Sequence, residues 1–361
     1  MLYAEFVNSA YNSAVPFTRL SESVQTLYAE LLDQLRIADA ELAVGAHSGS
    51  FVSKTIRGRT YWYLQKSEGA SKRQIYLGAE SPEILAQVES RSDTRRLTVE
   101  DEKRRRELVS MLAAGGMHRE SAAIGTVLRV LSEAGVFRAG GILVGTQAFT
   151  SIANLLGVSF EKQSMRTADI DVAHDTSIAL GLDVADPDLL RRLRDAEPAF
   201  FAVPGLDARE PSTSFKVRGR DLRVDFLTPA RGKHKREPIP LPHLGIAAQP
   251  LEGLDYLIED CIDAAILAAN GIRALVPTPA RFAFHKLWVS TQRTASEAAK
   301  SRKDVRQAAQ ILEVILEDRP DDAEKAWTAL IHHKGMQRPV RRAIGTLDEA
   351  LRERLTSILS G

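Results

Sequence analysis

Asp169-Ile170-Asp171-Val172 places two carboxylates in a short run whose other members are apolar, and that alternation constrains the chain more than any other feature. Read as a strand, residues i and i+2 share a face, so Asp169 and Asp171 project together while Ile170 and Val172 face a core. Two carboxylates this close repel each other unless a cation lies between them. An all-oxygen pair of this kind suits Mg2+ or Mn2+. Standing alone, a D-x-D is better explained by two solvated aspartates at a strand end, so its neighbours decide the reading.

Upstream, Ile142-Leu143-Val144 reads as a buried strand flanked by glycines, followed by a helix from Gln147 to Leu156. Between them, Gly145 lets a phosphate approach the backbone, Thr146 offers a hydroxyl, and a helix N-terminus favours an anion. The bland reading is a tight strand-to-helix turn. Downstream, a helix is expected near Asp188 to Asp195. Ser214 to Arg218 and Leu222 to Leu227, joined through Gly219, then form a hairpin. Asp225 is a charge inside that second, otherwise apolar strand. A buried carboxylate is costly unless paired or metal-bound, although Arg223 shares its face and a surface position would serve as well. A second hairpin is expected at Ala264 to Val276, around Asn270-Gly271.

The order of strand, Gly-Thr, helix, D-x-D strand and a later strand with a third aspartate resembles the nucleotidyltransferase superfamily of the polymerase-β type. The pieces are Val144-Gly145-Thr146, Asp169-Ile170-Asp171-Val172 and Asp225. The run from Gly145 to Phe149 and that from Arg166 to Asp171 look like a bacterial family of nucleotidyltransferase-like proteins. More distantly, they are similar to AbiE-type abortive-infection toxins. Val276 to Leu287 and Lys303 to Ala308 fit the same family, so the resemblance covers roughly residues 120 to 315. Thr146 departs from the usual Gly or Ser, keeping a hydroxyl but adding a methyl group. The loop between Gly145 and Asp169 is longer than in the smallest members.

The resemblance implies an α+β fold with a nucleotidyltransferase-type mixed sheet and flanking helices. It implies a metal-dependent transfer of a nucleoside monophosphate from a nucleoside triphosphate to a hydroxyl of RNA, tRNA included, or of protein. Asp169, Asp171 and Asp225 would be the catalytic and metal-holding carboxylates, with Mg2+ or Mn2+ as cofactor. Gly145 and Thr146 would cradle the triphosphate, and Arg166, Lys286 and Lys303 would supply positive charge. His285 reads as structural. A toxin-like role, with an antitoxin as partner, is part of what the distant likeness implies. The alternative is a non-catalytic nucleotide or nucleic-acid binding module on the same fold.

Around this centre the chain changes character. Val24, Leu27, Tyr28, Leu31, Leu35 and Ala38 mark one apolar face of a helix between Ser21 and Ala40, with Ser21 as its cap. Phe51 to Gly78 reads as a small antiparallel meander, with six Lys or Arg against one Glu and three tyrosines. Its aromatics could stack on bases or form the meander's own core. Residues 90 to 108 are dense in charge, an exposed linker or solvated helix, with Arg104-Arg105-Arg106 as a solvated face. A helical pattern returns from Ser121 to Ala134, and beyond Pro279 the chain is helical. His332-His333 reads as a solvated pair. The expected division is an accessory region over 1–110, a catalytic domain over 111–290 and a helical region over 291–361.

Over 361 residues, 48 Lys and Arg nearly balance 47 Asp and Glu, which argues against binding nucleic acid through overall charge but leaves a local patch open. One cysteine, Cys261, excludes a disulfide framework and any site of two or more thiolates, and suits a reducing compartment. The start lacks a basic and apolar leader, and no apolar run is long enough to span a bilayer. The expectation is a cytoplasmic protein with no membrane partner.

Overall fold

The computed structural model describes residues 17–43, 50–56, 59–68, 71–160, 168–175, 188–204, 211–231, 237–333 and 335–359. Strand β1 (Phe17–Arg19) leads into helix α1 (Glu22–Ala43). The expected stripe is buried at Val24, Tyr28, Leu31 and Leu35 and half-buried at Leu27 and Ala38, Leu32 is buried beside it, and Ser21 Oγ accepts from the Val24 amide at 3.4 Å. Strands β2 (Ser50–Ile56), β3 (Arg59–Glu68) and β4 (Ser71–Ala79) form the expected antiparallel meander, paired in sequence order.

The charge-dense stretch belongs to one long helix, α2 (Pro82–Ala114). Its arginine run is not simply solvated: Arg105 is buried, and Arg104 pairs with Glu30 of α1 at 2.9 Å. Leu108, Val109 and Leu112 of α2 join the α1 stripe and Ala265 and Leu267 in a satellite core. There the Tyr28 hydroxyl accepts the Ala265 amide at 3.0 Å, tying α1 to the main sheet.

Helix α3 (Ala122–Glu133) follows, its first turn capped by Ser121 Oγ on the Ile124 amide at 3.3 Å. Then come β5 (Ile142–Val144), α4 (Gly145–Leu155), β6 (Val158–Phe160) and β7 (Asp169–Ala173). After α5 (Leu189–Ala196) come β8 (Phe200–Ala202), β9 (Ser214–Val217), β10 (Arg223–Pro229), β11 (Ile239–Leu241) and β12 (Ile246–Leu251). Helix α6 (Leu254–Ile258) precedes the second hairpin, β13 (Cys261–Ile266) and β14 (Ile272–Pro277). Five helices close the chain: α7 (Pro279–Gln292), α8 (Ala298–Asp318), α9 (Pro320–His332), α10 (Gln337–Ile344) and α11 (Glu349–Leu359).

The main sheet runs β11-β12-β10-β7-β5-β14-β13, with β9 on β10 and β8 on β9. Strands β7, β10 and β12 are parallel, β5 runs antiparallel to β7, and β9 to β10. This is the mixed sheet with flanking helices and a helical C-terminal part that the sequence led us to expect. One core joins the sheet to α3 through α11. Phe149 of α4 stacks on Phe160 of β6 at 5.3 Å and on Phe282 of α7 at 6.4 Å between centroids. Burying a ring of this size stabilises by about 2–3 kcal/mol, and this one locks α4, the helix that Gly145 opens, against two neighbours. The expected divisions at 110 and 290 fall inside α2 and α7. Among the described residues no helix is long and apolar enough to cross a membrane.

Candidate active site

The central pair of parallel strands brings the carboxylates together by register. Asp225 of β10 lies opposite Asp171 of β7, and Arg223 opposite Asp169. Neighbouring strands are about 4.8 Å apart, so all four residues share one face. The alternate residues Ile170, Val172, Val224 and Phe226 are buried on the other. Asp169 is exposed, while Asp171 and Asp225 are half-buried. The Asp171 carboxyl is pushed up to about 6, first by burial and then by Asp225 and Asp169, against the opposing pull of Lys286 and Arg223. Asp225 accepts from Arg223 Nε at 2.7 Å, and the same nitrogen donates to Ser214 Oγ of β9 at 3.0 Å.

Antiparallel pairing sets Val144 opposite Asp171, so the next residue, Gly145, comes down beside that carboxylate. Gly145 has φ +67°, and a Cβ there would run into Asp171. Glycine is therefore required both by the backbone and by close approach. Thr146 Oγ1 accepts from Lys303 Nζ of α8 at 3.2 Å. The Lys303 ammonium is held below its ordinary pKa by burial and by Lys286, partly offset by Asp304, Asp169 and Asp171. Lys286 of α7 donates to Asp304 at 2.8 Å, and Arg293 Nε reaches the other Asp304 oxygen at 3.3 Å. The structure thus gathers Gly145, Thr146, Asp169, Asp171, Asp225, Lys286 and Lys303 around one corner of the sheet. Arg166 lies outside the described residues.

Sequence reasoning missed Asp304, Arg293 and the support beneath α4. Asp304 had a signal: it occupies the helical stripe of Ala308, Ile311 and Ile315, so it is a charge on an apolar face. Beneath α4, the Glu120 carboxylate accepts from Thr150 Oγ1 at 3.1 Å and lies 3.1 Å from His118 Nε2. The Gln147 amide, oriented with its nitrogen toward Glu120, donates at 2.9 and 3.2 Å. Asn154 exchanges two bonds of 2.8 Å with the His118 backbone. Gln147, Thr150 and Asn154 thus clamp one face of α4 to the segment before α3. Glu120→Ala would orphan the buried Gln147 amide, while Thr150 keeps the Gln147 carbonyl at 3.0 Å, and is expected to cost about 1–2 kcal/mol of stability, read by urea denaturation.

Other side chains are structural. His285 is buried beside Trp288 and pushed down to about 3 by burial and Lys286, so it stays neutral. The Cys261 thiol is pushed up to about 12, chiefly by burial, so no thiolate forms there. His333 is not merely solvated: its ring nitrogens lie 3.4 Å from Asp255 and 3.6 Å from Glu259.

As the side chains stand, no group of three His, Cys, Asp or Glu among the described residues is close enough to hold an ion. Asp225 is engaged by Arg223 instead. A family model described as Nucleotidyltransferase matches residues 122–332. No curated protein and no solved structure matches the chain. The matched segment begins at the first residue of α3 and ends at the last residue of α9, so it takes in the sheet from β5 to β14 and both site lysines. Spanning more than half of the sequence, that match makes the chain a member of the nucleotidyltransferase family.

Proposed function

We propose that the chain moves a nucleoside monophosphate from a nucleoside triphosphate onto an acceptor hydroxyl, with Asp169, Asp171 and Asp225 as its catalytic carboxylates. The observation that carries this reading is the register that opposes Asp225 to Asp171 while Gly145 and the Thr146–Lys303 pair close the same corner.

Nucleotidyltransferases generally use divalent metals, and the donor set fits one. It is all carboxylate oxygen, and the mutual repulsion that raises Asp171 is what a cation would relieve. Bound there, Mg2+ or Mn2+ would neutralise the triphosphate and ease loss of the acceptor proton. For Asp225 to join, it must exchange its bond to Arg223, which frees that guanidinium for a phosphate. Gly145 leaves the first amides of α4 open to the triphosphate. Thr146 Oγ1 and Lys303 Nζ meet its outer phosphates, and Lys286, steadied by Asp304, adds positive charge. Arg166 is kept as a further cation. The acceptor oxygen bonds to the α-phosphorus, the bond to the β-phosphate oxygen breaks, pyrophosphate leaves, and Asp225 takes the acceptor proton. Such catalysis is mostly positioning and charge stabilisation.

The test incubates the full chain with α-labelled triphosphates, Mg2+ and cell extract. Label should reach a macromolecule with wild type and not with Asp169→Ala. Equal labelling by both, or none by wild type, overturns the proposal. The Arg223–Asp225 bond also favours a second reading, a nucleotide-binding module without turnover, which calorimetry would reveal as tight binding with no product. Lys303→Met is expected to raise the KM for triphosphate about tenfold or more with little change in kcat, since it removes a charge-assisted contact to phosphate. A toxin role would appear as growth arrest on expression of wild type and not of Asp169→Ala.

A further inference from the structure

The transfer reading makes no use of the meander. Between Phe51 and Gly78 it holds six Lys or Arg and one Glu, whereas the whole chain is nearly neutral. Register sorts these residues by face, because residues directly opposite in an antiparallel pair lie on the same side, as do positions two apart. Strands β2 and β3 set Val52 opposite Tyr63, Lys54 opposite Tyr61 and Ile56 opposite Arg59. Strands β3 and β4 set Tyr63 opposite Tyr76, Gln65 opposite Gln74 and Ser67 opposite Lys72.

One face therefore collects the positions of Tyr61, Tyr63 and Tyr76, of Lys54, Arg59 and Lys72, and of two glutamines. It takes no carboxylate position. The other face takes the positions of Phe51, Trp62, Leu64 and Ile75, those of Lys66 and Arg73, and that of Glu68, the only acid, so its net charge is the smaller. On that side the Trp62 indole donates to Glu80 at 3.1 Å, two residues before α2 begins. On the tyrosine side Lys54 is exposed, its ammonium 5.0 Å from the centroid of the Tyr63 ring. Val52 and Ile56 fall on the tyrosine face as well, but the larger apolar positions, Phe51, Trp62, Leu64 and Ile75, are all on the opposite face.

We propose that the tyrosine face docks single-stranded RNA and that the strand it holds is the acceptor. Aromatic rings stack on bases of any sequence, and Lys and Arg meet phosphates. A face without carboxylates repels no phosphodiester, whereas a protein surface of mixed charge gains little from it. RNA also carries the hydroxyls that the transfer consumes. Naming the acceptor rests on the transfer reading; the docking does not.

The experiment titrates the full chain into a fluorescein-labelled single-stranded RNA of mixed sequence, about 20 nucleotides long, and follows anisotropy without nucleotide. Binding should weaken as salt rises, with a slope in log–log form of about 0.7 per phosphate neutralised. Tyr63→Ala is expected to weaken binding about tenfold and Tyr63→Phe to restore it. Lys54→Glu should weaken binding and flatten the salt slope. Asp169→Ala should bind RNA as wild type does. No RNA binding, binding indifferent to both Tyr63→Ala and Lys54→Glu, or binding of DNA alone overturns the docking. RNA binding without label transfer removes the transfer reading and leaves the docking. Label that protease removes and ribonuclease does not overturns RNA as acceptor.

Discussion

Asp171→Asn will make the metal-free protein more stable near neutral pH and abolish its transferase activity. In the folded chain the Asp171 carboxyl is pushed up to about 6 from an ordinary 3.8. Between those two values the native state holds a proton that the unfolded state has lost. Stability therefore falls as pH rises through that window, and above about 6 the full penalty is present. Two units correspond to about 3 kcal/mol as an upper bound, and relaxation around the site leaves about 1–2 kcal/mol to be recovered by an uncharged residue of the same shape. In EDTA, the urea midpoint of the variant should exceed that of wild type near pH 7, and the difference should vanish near pH 4. Mg2+ should raise the melting temperature of wild type and not of the variant, because a ligand stabilises only the state that binds it. Transfer should drop by about a hundredfold or more, as expected when several kcal/mol of charge stabilisation is lost. In wild type at limiting Mg2+, activity should fall as pH drops toward about 6, and raising Mg2+ should move that fall to lower pH, because cation and proton compete for the same oxygens. A variant less stable than wild type in EDTA near neutral pH, or one that still transfers label, would contradict this account.

Asp169 and Asp171 were legible because a strand has period two and the apolar residues between them mark the buried face. Asp225 was named as their partner through the family resemblance, while its own strand left a surface position equally open. Asp225 lies more than fifty residues away, and only the β7–β10 register says which residue faces which. Gly145 was legible as a glycine that opens a helix, but the carboxylate beneath it was not, since that contact arises from the β5–β7 pairing. Asp304 shows the opposite case. Its place on an apolar stripe was visible, yet its partners come from α7 (Lys286) and the residue just after it (Arg293), so local spacing did not name them. The polar face of α4 is a third case. Its partners come from outside the helix: Glu120 and the His118 backbone cover Gln147, Thr150 and Asn154, and a satisfied polar network can be buried as securely as an apolar one.

Gly145→Ala is expected to cost about a hundredfold in transfer, whereas Gly219→Ala, which demands the same left-handed backbone, should leave transfer unchanged. The two glycines have φ of +67° and +74°. An L side chain in that region costs about 1–2 kcal/mol, so both variants should lose that much stability. The surroundings differ. At Gly219, in the turn between β9 and β10, a new Cβ meets nothing within 4 Å, whereas at Gly145 it collides with the Asp171 carboxylate. Crowding of this kind adds about 1–3 kcal/mol, and the displaced atoms are those proposed to hold the metal. Denaturant melts of the two variants, subtracted, isolate the collision from the backbone strain. Asp171→Ala supplies the cross-check: with the carboxylate gone, Gly145→Ala should cost no more than Gly219→Ala, a coupling of about 1 kcal/mol or more in the double-mutant cycle. Equal costs for Gly145→Ala and Gly219→Ala in the wild-type background would show that the carboxylate can move aside freely. In that case the close approach of Gly145 to Asp171 would have no part in setting the site.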